Sequence, residues 1–149
     1  MTAHLNAACR LALAAFLHDL GKFAERARLP AAQERDARGN TRQAVNELLY
    51  CPQFKGQRTH VHAAYTAIGL DLLEQHLPDL VGAEMTPFAA WREKNADDSL
   101  INAAAKHHRP ETYLQWVIAT ADRLASGFER ETFARYNAAP DDPQQKLNH

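Results

Sequence analysis

The sequence predicts an all-α fold with a single domain and a short tail. Of the 149 residues, 46% are hydrophobic, which is enough for one ordinary core. Alanine and leucine are frequent, glycine occurs only six times, and β-branched residues are few, a composition that favours helix over strand. We therefore expect helices almost throughout, no strand, one domain over residues 1–135, and a tail or linker over residues 136–149, where Pro140 and Pro143 stand among polar residues.

The first three predicted helices follow from the spacing of apolar residues. Residues 6–27 are apolar nearly all round, which is typical of a helix in the middle of a bundle. Residues 28–41 carry Pro30 and several charges and are predicted to form a solvated connection. A short helix over residues 41–49 is stopped by Pro52, and a helix with an aliphatic stripe over residues 60–76 is closed by Pro78.

Two further helices follow a stretch of loop and short helix that ends at residue 95. Asp97, Asp98 and Ser99 offer N-cap chemistry for a helix that ends near His108. Pro110 suits the first turn of the last strong helix, over residues 111–128. The residues predicted for the core face of that helix are Leu114, Val117, Ile118, Ala121 and Leu124.

Charge, cysteine content and hydropathy exclude several classes of protein. With 17 basic and 18 acidic residues the net charge is −1, so nucleic-acid binding would need a local basic patch or a partner subunit. Cys9 and Cys51 lack the paired spacing of a disulfide framework or a thiolate zinc site. No stretch reaches the roughly 18 apolar residues of a membrane span, and no signal-peptide pattern opens the chain. We expect a cytoplasmic protein without membrane association.

Imidazole and carboxylate side chains recur on four of the predicted helices, at positions that the apolar pattern places in or near the core. Asp19 lies between leucines, and burying its charge without a partner would cost free energy. Asp122 lies on a stripe of the last helix and needs a cation, an arginine or a metal ion. The full set of candidates is His18, Asp19, His62, His107, His108 and Asp122.

Each feature taken alone also has a structural explanation. His18 can bond to the backbone or to its neighbour, His62 can cap a helix, and a helix C-terminus can stabilise His107 and His108. Taken together, the residues suit one or two divalent ions of the manganese, iron, cobalt or nickel kind. Because such ligation leaves positions open for water and phosphate oxygens, hydrolysis of a phosphoester is the chemistry that this set favours.

The run His18-Asp19-Leu20-Gly21-Lys22 resembles the signature of the HD phosphohydrolase superfamily. The order of the later motifs is similar to that in the N-terminal HD nuclease domain of the large subunit of type III CRISPR effector complexes. Those motifs are residues 59–66 (Thr-His-Val-His-Ala-Ala-Tyr-Thr), 107–110 (His-His-Arg-Pro) and 118–131. The resemblance covers about residues 10–133, and residues 121–131 (Ala-Asp-Arg-Leu-Ala-Ser-Gly-Phe-Glu-Arg-Glu) are its most family-specific part.

This resemblance implies an HD-domain helical bundle in a circularly permuted arrangement and a metal-dependent nuclease, cutting single-stranded DNA in antiviral defence. By position, His18 and Asp19 would be the central ligands and Lys22 would contact phosphate, so these three residues are the catalytic candidates. His62, His107, His108 and Asp122 would complete one or two metal sites. His60 is the weaker candidate of the His60 and His62 pair.

Two departures from the family pattern shape what we expect of partners. The chain has no Gly-Gly-Asp-Asp cyclase motif and ends where the polymerase-like palm domains would begin, so we expect an excised or freestanding domain. Its partners would be those palm domains and other subunits of a CRISPR ribonucleoprotein effector complex, and some apolar surface near the C-terminus would be left uncovered. Only His4 precedes the His-Asp pair, and the permuted arrangement would supply the ligand that usual HD hydrolases carry upstream.

Two other functions stay open at this stage. One is an HD-type nucleotide or cyclic-nucleotide phosphohydrolase, which would need a closed pocket for a base and a sugar. The other is a catalytically inactive assembly module, with Arg123, Arg130 and Arg135 facing a partner.

Overall fold

The computed structural model describes residues 3–91 and 96–138, and most of them are helical. The helices are α1 (Ala3–Leu17), α2 (Leu20–Arg26), α3 (Arg42–Tyr50), α4 (His62–His76), α5 (Pro78–Val81), α6 (Leu100–Ala105) and α7 (Tyr113–Ala138). Within these described ranges, three short 3-10 helices span Pro30–Gln33, Ala96–Asp98 and Lys106–His108. Strands β1 (Gln53–Phe54) and β2 (Gln57–Arg58) form one antiparallel hairpin. The predicted all-α class is thus confirmed at the level of a mostly helical fold.

Helix α4 forms the centre of the fold. Its residues from Ala63 to Ile68 are all buried, and it packs against α2, α3, α5 and α6. Alanines on this helix let its neighbours approach closely. The prediction that the first helix lies in the middle is wrong, because Ala14 is the only buried residue among the described side chains of α1, and Phe16 is 82% exposed.

The single helix predicted over residues 6–27 is in fact two helices. Helix α1 ends at Leu17 and α2 begins at Leu20, with Asp19 outside helical geometry between them. Thr66 on α4 binds the backbone on both sides of this break. Its hydroxyl donates to the carbonyl of His18 at 2.8 Å and accepts from the amide of Gly21 at 3.0 Å. Tertiary hydrogen bonds therefore replace helical ones at this junction.

Two connections contain more structure than we expected. The hairpin of β1 and β2 contradicts the expectation of no strand, and its turn residues Lys55 and Gly56 have positive φ values of 49° and 80°. Two left-handed residues in a row match the right-handed twist of paired strands. In the predicted solvated connection, the 3-10 helix Pro30–Gln33 buries Ala31 and Ala32 in a cluster with Tyr65 and Ile68 of α4.

The predicted N-cap of the fourth helix is confirmed. Ser99 accepts a hydrogen bond from the amide of Asn102 at 3.2 Å, and α6 starts at Leu100. In the same way Thr41 caps α3 through the amide of Ala44. Helix α6 ends at Ala105, and the chain continues as a 3-10 turn through His108.

Helix α7 differs from its prediction at both ends. It starts at Tyr113 rather than in the turn of Pro110, because the side chain of buried Gln115 accepts hydrogen bonds from the amides of residues 111 and 112. It continues to Ala138, so residues 136–138 of the predicted tail are helical, while residues 139–149 lie outside the described part of the chain.

The predicted core face of α7 is only partly buried. Ile118 is buried and Leu114 and Val117 are partly buried, whereas Ala121 is exposed and Leu124 is 58% exposed. Ala121 lines an open cleft between α7 and the break between α1 and α2, so this part of the predicted core face is not covered by a neighbouring helix. Within the described residues, no helix has the length and apolar character that a membrane crossing requires.

Candidate metal centre

Six imidazole and carboxylate side chains converge where four segments of the fold meet. The segments are the break between α1 and α2, the first turn of α4, the 3-10 turn Lys106–His108 and the middle of α7. The side chains are those of the six predicted metal ligands, His18, Asp19, His62, His107, His108 and Asp122. The fold thus brings together residues that are up to 104 positions apart in the chain.

His18 has one ring nitrogen satisfied and the other unsatisfied. Its Nδ1 lies 2.5 Å from the carbonyl oxygen of Ala15, and since a carbonyl only accepts, Nδ1 carries the proton. Its Nε2 is buried without a hydrogen-bond partner, although carboxylate oxygens of Asp19 and Asp122 lie 3.3 and 3.4 Å away. A nitrogen lone pair that faces two carboxylates is favourable only with a cation or a second proton between them.

His107, in the 3-10 turn Lys106–His108, has the same hydrogen-bonding pattern as His18. Its Nδ1 donates to the carbonyl oxygen of Ala104 at 2.7 Å, and its Nε2 is also buried and unpartnered. The side chain is only 1% exposed, and its ring meets that of His18 edge-on with the centroids 4.7 Å apart. A histidine whose Nδ1–H is fixed by a backbone carbonyl presents Nε2 in one tautomer and orientation, as metal-binding histidines do.

His62 and His108 point their free nitrogens at each other. The two Nε2 atoms are 2.9 Å apart, a distance that fits either one N–H donating to the other ring or two lone pairs directed at one ion. His62 also lies near Asp19, with Nε2 3.6 Å from Oδ1 of the carboxylate.

Burial keeps the imidazoles of the centre neutral. It lowers the pKa of His107 to about 4, with the charges of neighbouring histidines acting in the same direction. It lowers the pKa of His108 to about 3 and also depresses the pKa of His62. At neutral pH all three rings are therefore uncharged and hold the lone pair that a metal ligand needs.

Asp19 is held as a carboxylate chiefly by the ammonium group of Lys22. Partial burial raises the pKa of its carboxyl group, but the hydrogen bond from Lys22 and the charges of nearby histidines outweigh burial and lower it below the usual value. The Nζ of Lys22 lies 2.5 Å from Oδ2 of Asp19. Negative charge is thus available at Asp19 throughout the physiological pH range.

The donor atoms fall into two groups that share one residue. His62, His107 and His108 form one group, and His18, Asp19 and His107 form the other, each with ligand atoms within 4.8 Å of one another. The oxygen of Asp122 near His18 adds a further donor to the second group. Imidazole nitrogens mixed with carboxylate oxygens fit a divalent transition metal, and the orphaned Nε2 atoms of His18 and His107 are the positions that such an ion would satisfy.

A cleft opens beside the second group. It has a volume of about 310 Å³ and runs between the α1–α2 break and α7. Besides His18, Asp19, Lys22 and Asp122, its walls are made by the small or aliphatic residues Ala15, Ile118, Ala121, Ala125 and Ser126. Lys22, with a half-exposed side chain, therefore both forms an ion pair with Asp19 and lines the cleft.

Three further residues support the centre and were not predicted to do so. Thr66 holds the break that carries His18 and Asp19, and Gly21 lies so close to α4 that a Cβ atom would come within 1.8 Å of the carbonyl oxygen of His62. His60, predicted as the weaker of its pair, packs against His108 with ring centroids 3.9 Å apart and the ring planes tilted by 40°, and it has a positive φ of 57°. The polar stripe of His62 and Thr66 on an otherwise apolar helix was the one sequence signal for Thr66.

Comparison of the chain with known protein families, with curated proteins and with solved structures gives no match. A functional assignment therefore depends on the geometry of the centre and on the motifs of the sequence.

Proposed function

We propose that the chain is an HD-type, metal-dependent phosphodiesterase, with single-stranded DNA as its preferred class of substrate. The observation that carries the proposal is that His18 and His107 have the same hydrogen-bonding pattern. Each ring gives its Nδ1–H to a carbonyl of its own segment and holds a buried, unpartnered Nε2. Their surroundings are ionised Asp19 and two neutral imidazoles, a donor set that suits a divalent transition-metal ion.

The residues around the centre have distinct parts in this function. His18, Asp19, His62, His107, His108 and Asp122 would hold one or two ions of manganese, iron, cobalt or nickel. A bound divalent ion would lower the pKa of a water molecule and offset the negative charge of a phosphoryl group. Lys22 would bind a phosphate oxygen from the wall of the cleft and would keep Asp19 ionised.

The lining of the cleft favours a polymeric phosphodiester over a free nucleotide. Among the described residues that line it, none is phenylalanine, tyrosine or tryptophan, so a nucleobase would find no large aromatic side chain to stack on. Small side chains such as Ala121, Ala125 and Ser126 instead leave room for a phosphodiester backbone. A nucleotide phosphohydrolase remains the alternative that the experiment below tests.

Membership of a CRISPR effector complex is part of the same proposal and depends on the sequence resemblance over residues 10–133. The outer surface of α7 is consistent with a partner domain, since Tyr113, Leu124 and Phe128 are 80%, 58% and 66% exposed. Large exposed apolar side chains along one helix are typical of an interface with another protein surface.

The test is metal-dependent cleavage of a labelled single-stranded DNA. The protein is stripped with a chelator and supplied in turn with manganese, nickel, cobalt or magnesium. Asp19→Ala serves as the site variant, and His76→Ala, an exposed histidine at the end of α4, serves as the matched control. We expect cleavage that a transition metal restores, that Asp19→Ala abolishes and that His76→Ala retains.

Each other outcome points to a different function. Release of phosphate or a nucleoside from mononucleotides, without cutting of the oligonucleotide, would replace the proposal with a nucleotide phosphohydrolase. Metal binding without hydrolysis of either substrate, together with complex assembly that Asp19→Ala leaves intact, would identify an inactive assembly module.

A further inference from the structure

The outward face of α2 carries a phenylalanine beside two basic side chains. With 3.6 residues per turn, Lys22, Phe23 and Arg26 lie within about 100° of one another around the helix. All three are exposed, and Phe23 is 72% exposed. Asp19 directly precedes α2, contacts Lys22 and belongs to the candidate metal centre, so this face of the helix adjoins the centre.

The opposite face of α2 is committed to the core. Gly21 is buried against the backbone of α4, and Ala24 belongs to the cluster of Tyr65 and Ile68. Because this face packs so closely, α2 cannot turn to bury Phe23. The exposure of Phe23 is therefore fixed by the fold.

The outward face borders a depression that adjoins the metal centre. Lys22, Glu25, Arg26 and Arg28 line a hollow of about 470 Å³, and Lys22 also lines the cleft beside His18 and Asp19. Among the described residues of this hollow, Glu25 is the single acidic one and the other three are cations. From Asp19 to Arg26 the track covers about 10 Å along the helix.

We infer that Lys22, Phe23, Arg26 and Arg28 form a binding track for a single-stranded stretch of polynucleotide that leads to the metal centre. The three cations would contact backbone phosphates, and Phe23 would stack on an unpaired base. This inference rests on the proposed function, because the track is useful only if the centre cuts a polymer. It explains how a chain of net charge −1 can hold a polyanion, since the cations are grouped beside the cleft.

A single strand is the form of polynucleotide that fits this track. An exposed aromatic ring can stack only on a base that is not already stacked in a duplex. A protein partner fits less well, because the described residues that line the hollow are charged and Phe23 is the one large apolar side chain on this face of α2.

The experiment compares binding of strands with hydrolysis of a small ester. Binding of a fluorescein-labelled single-stranded DNA of about ten nucleotides is measured by anisotropy in chelator, so that no cleavage occurs, beside RNA and blunt duplex DNA of the same sequence. Hydrolysis of bis(p-nitrophenyl) phosphate with manganese reports on the metal centre alone. The variants are Phe23→Ala, Phe23→Leu and the double variant Arg26→Gln/Arg28→Gln.

The control is Phe54→Ala, which removes another exposed phenylalanine beside a lysine, on the β1–β2 hairpin. We expect Phe23→Ala to weaken strand binding by about 5- to 100-fold and Phe23→Leu to recover little of it, since stacking needs the ring. The double arginine variant should lower the slope of log affinity against log salt by about 1.4, because two phosphate contacts are lost. Ester hydrolysis should stay within about twofold of the parent in all of them, given that none of the altered side chains belongs to the donor set.

The binding track would be overturned if Phe23→Ala and Phe54→Ala bound the strand equally well, or if the parent did not bind it. Neither result bears on the metal centre, which ester hydrolysis tests separately. Tighter binding of duplex than of single strands would also overturn it. Failure of the parent to hydrolyse the ester with any metal would instead count against the proposed function. RNA bound as tightly as DNA would support the track and show that it recognises backbone and base without reading the sugar.

Discussion

The amide of Gly21 donates a hydrogen bond to the hydroxyl of Thr66, across 45 positions of the chain. The same hydroxyl donates to the carbonyl of His18, so one side chain on α4 holds both sides of the break between α1 and α2. Asp19 lies inside this break. The position of the candidate ligands His18 and Asp19 relative to His62 therefore depends in part on this buried threonine.

Replacing Thr66 by valine keeps the shape of the side chain and removes its hydroxyl. The amide of Gly21 and the carbonyl of His18 would then lack their partner, and we expect a loss of about 1–3 kcal/mol in the free energy of unfolding, measured by urea denaturation. Metal affinity, measured by calorimetry, should fall as well. Thr66→Ser, which keeps the hydroxyl, should retain most of both, and equal behaviour of the two variants would contradict this account.

Gly21→Ala should disrupt the contact between α2 and α4. The added Cβ would lie 1.8 Å from the carbonyl oxygen of His62 and 2.5 Å from the amide of Thr66, and both are backbone atoms that cannot rotate away. We expect a destabilisation of about 3 kcal/mol or more, with loss of metal binding.

The matched control for this substitution is Gly69→Ala at the same helix pair. Its Cβ would lie 3.6 Å from the side chain of Leu20, an ordinary contact distance, and alanine favours helix over glycine. Thermal melts should show Gly69→Ala as stable as the parent or more so. If Gly21→Ala melted together with it, the close approach of α2 to α4 would be wrong.

The chelated protein should lose stability as the pH falls below about 6.5. The pKa values of His107 and His108, about 4 and about 3, lie below the 6.5 of an unfolded histidine, so between these values the unfolded chain binds more protons than the folded one. Protons then favour unfolding, and the loss continues until the folded imidazoles titrate. The lowered pKa of Asp19 has its effect in a separate window, below its unfolded value of 3.8.

Thermal melts in chelator at pH 7.5, 6 and 5 check this dependence. His107→Asn, which removes a strongly shifted imidazole, should give a flatter dependence between pH 6.5 and 5, whereas His76→Ala should follow the parent. A parent with a constant melting temperature over this range would show that the buried imidazoles are not held neutral.

Lys22→Met should separate metal binding from turnover. The ammonium group of Lys22 competes with a metal ion for Asp19, so its removal should leave metal affinity equal or increased. Hydrolysis should fall by about 10- to 100-fold in kcat/KM if Lys22 binds a phosphate oxygen, which corresponds to one lost charge-assisted hydrogen bond. Calorimetry with manganese and ester hydrolysis on the same sample measure the two effects. Weaker metal binding in this variant would place Lys22 in a purely structural role.

Local sequence patterns were sufficient to predict elements that are held by hydrogen bonds between residues close in the sequence. Ser99 caps α6 through an amide three residues away, and this cap was predicted because a short polar side chain before an apolar run satisfies the first turn of a helix. Thr41 makes the same kind of cap at the start of α3, where a helix was predicted but its cap was not. The six candidate ligands were likewise recognisable as polar groups in apolar stretches, since a buried charge needs a partner.

Features that depend on distant residues were mispredicted. The periodicity of residues 6–27 contains no sign of the break at Asp19, because the groups that replace its helical hydrogen bonds come from Thr66. The exposure of Leu124 was likewise missed, because an apolar stripe shows which residues share a face of a helix and not which of them a neighbouring helix covers.

By itself, then, the sequence determined that this chain is mostly helical, where most of its helices lie, and which imidazoles and carboxylates are the candidates for a metal centre, because these properties depend on residue type and on neighbours within one or two turns. Only the tertiary structure decided that α4 is the central helix, that the chain breaks at His18 and Asp19, and that Nε2 of His18 faces both Asp19 and Asp122. Those relationships depend on how closely α2, α4, α6 and α7 approach one another, and the closeness is set by packing between residues far apart in the chain.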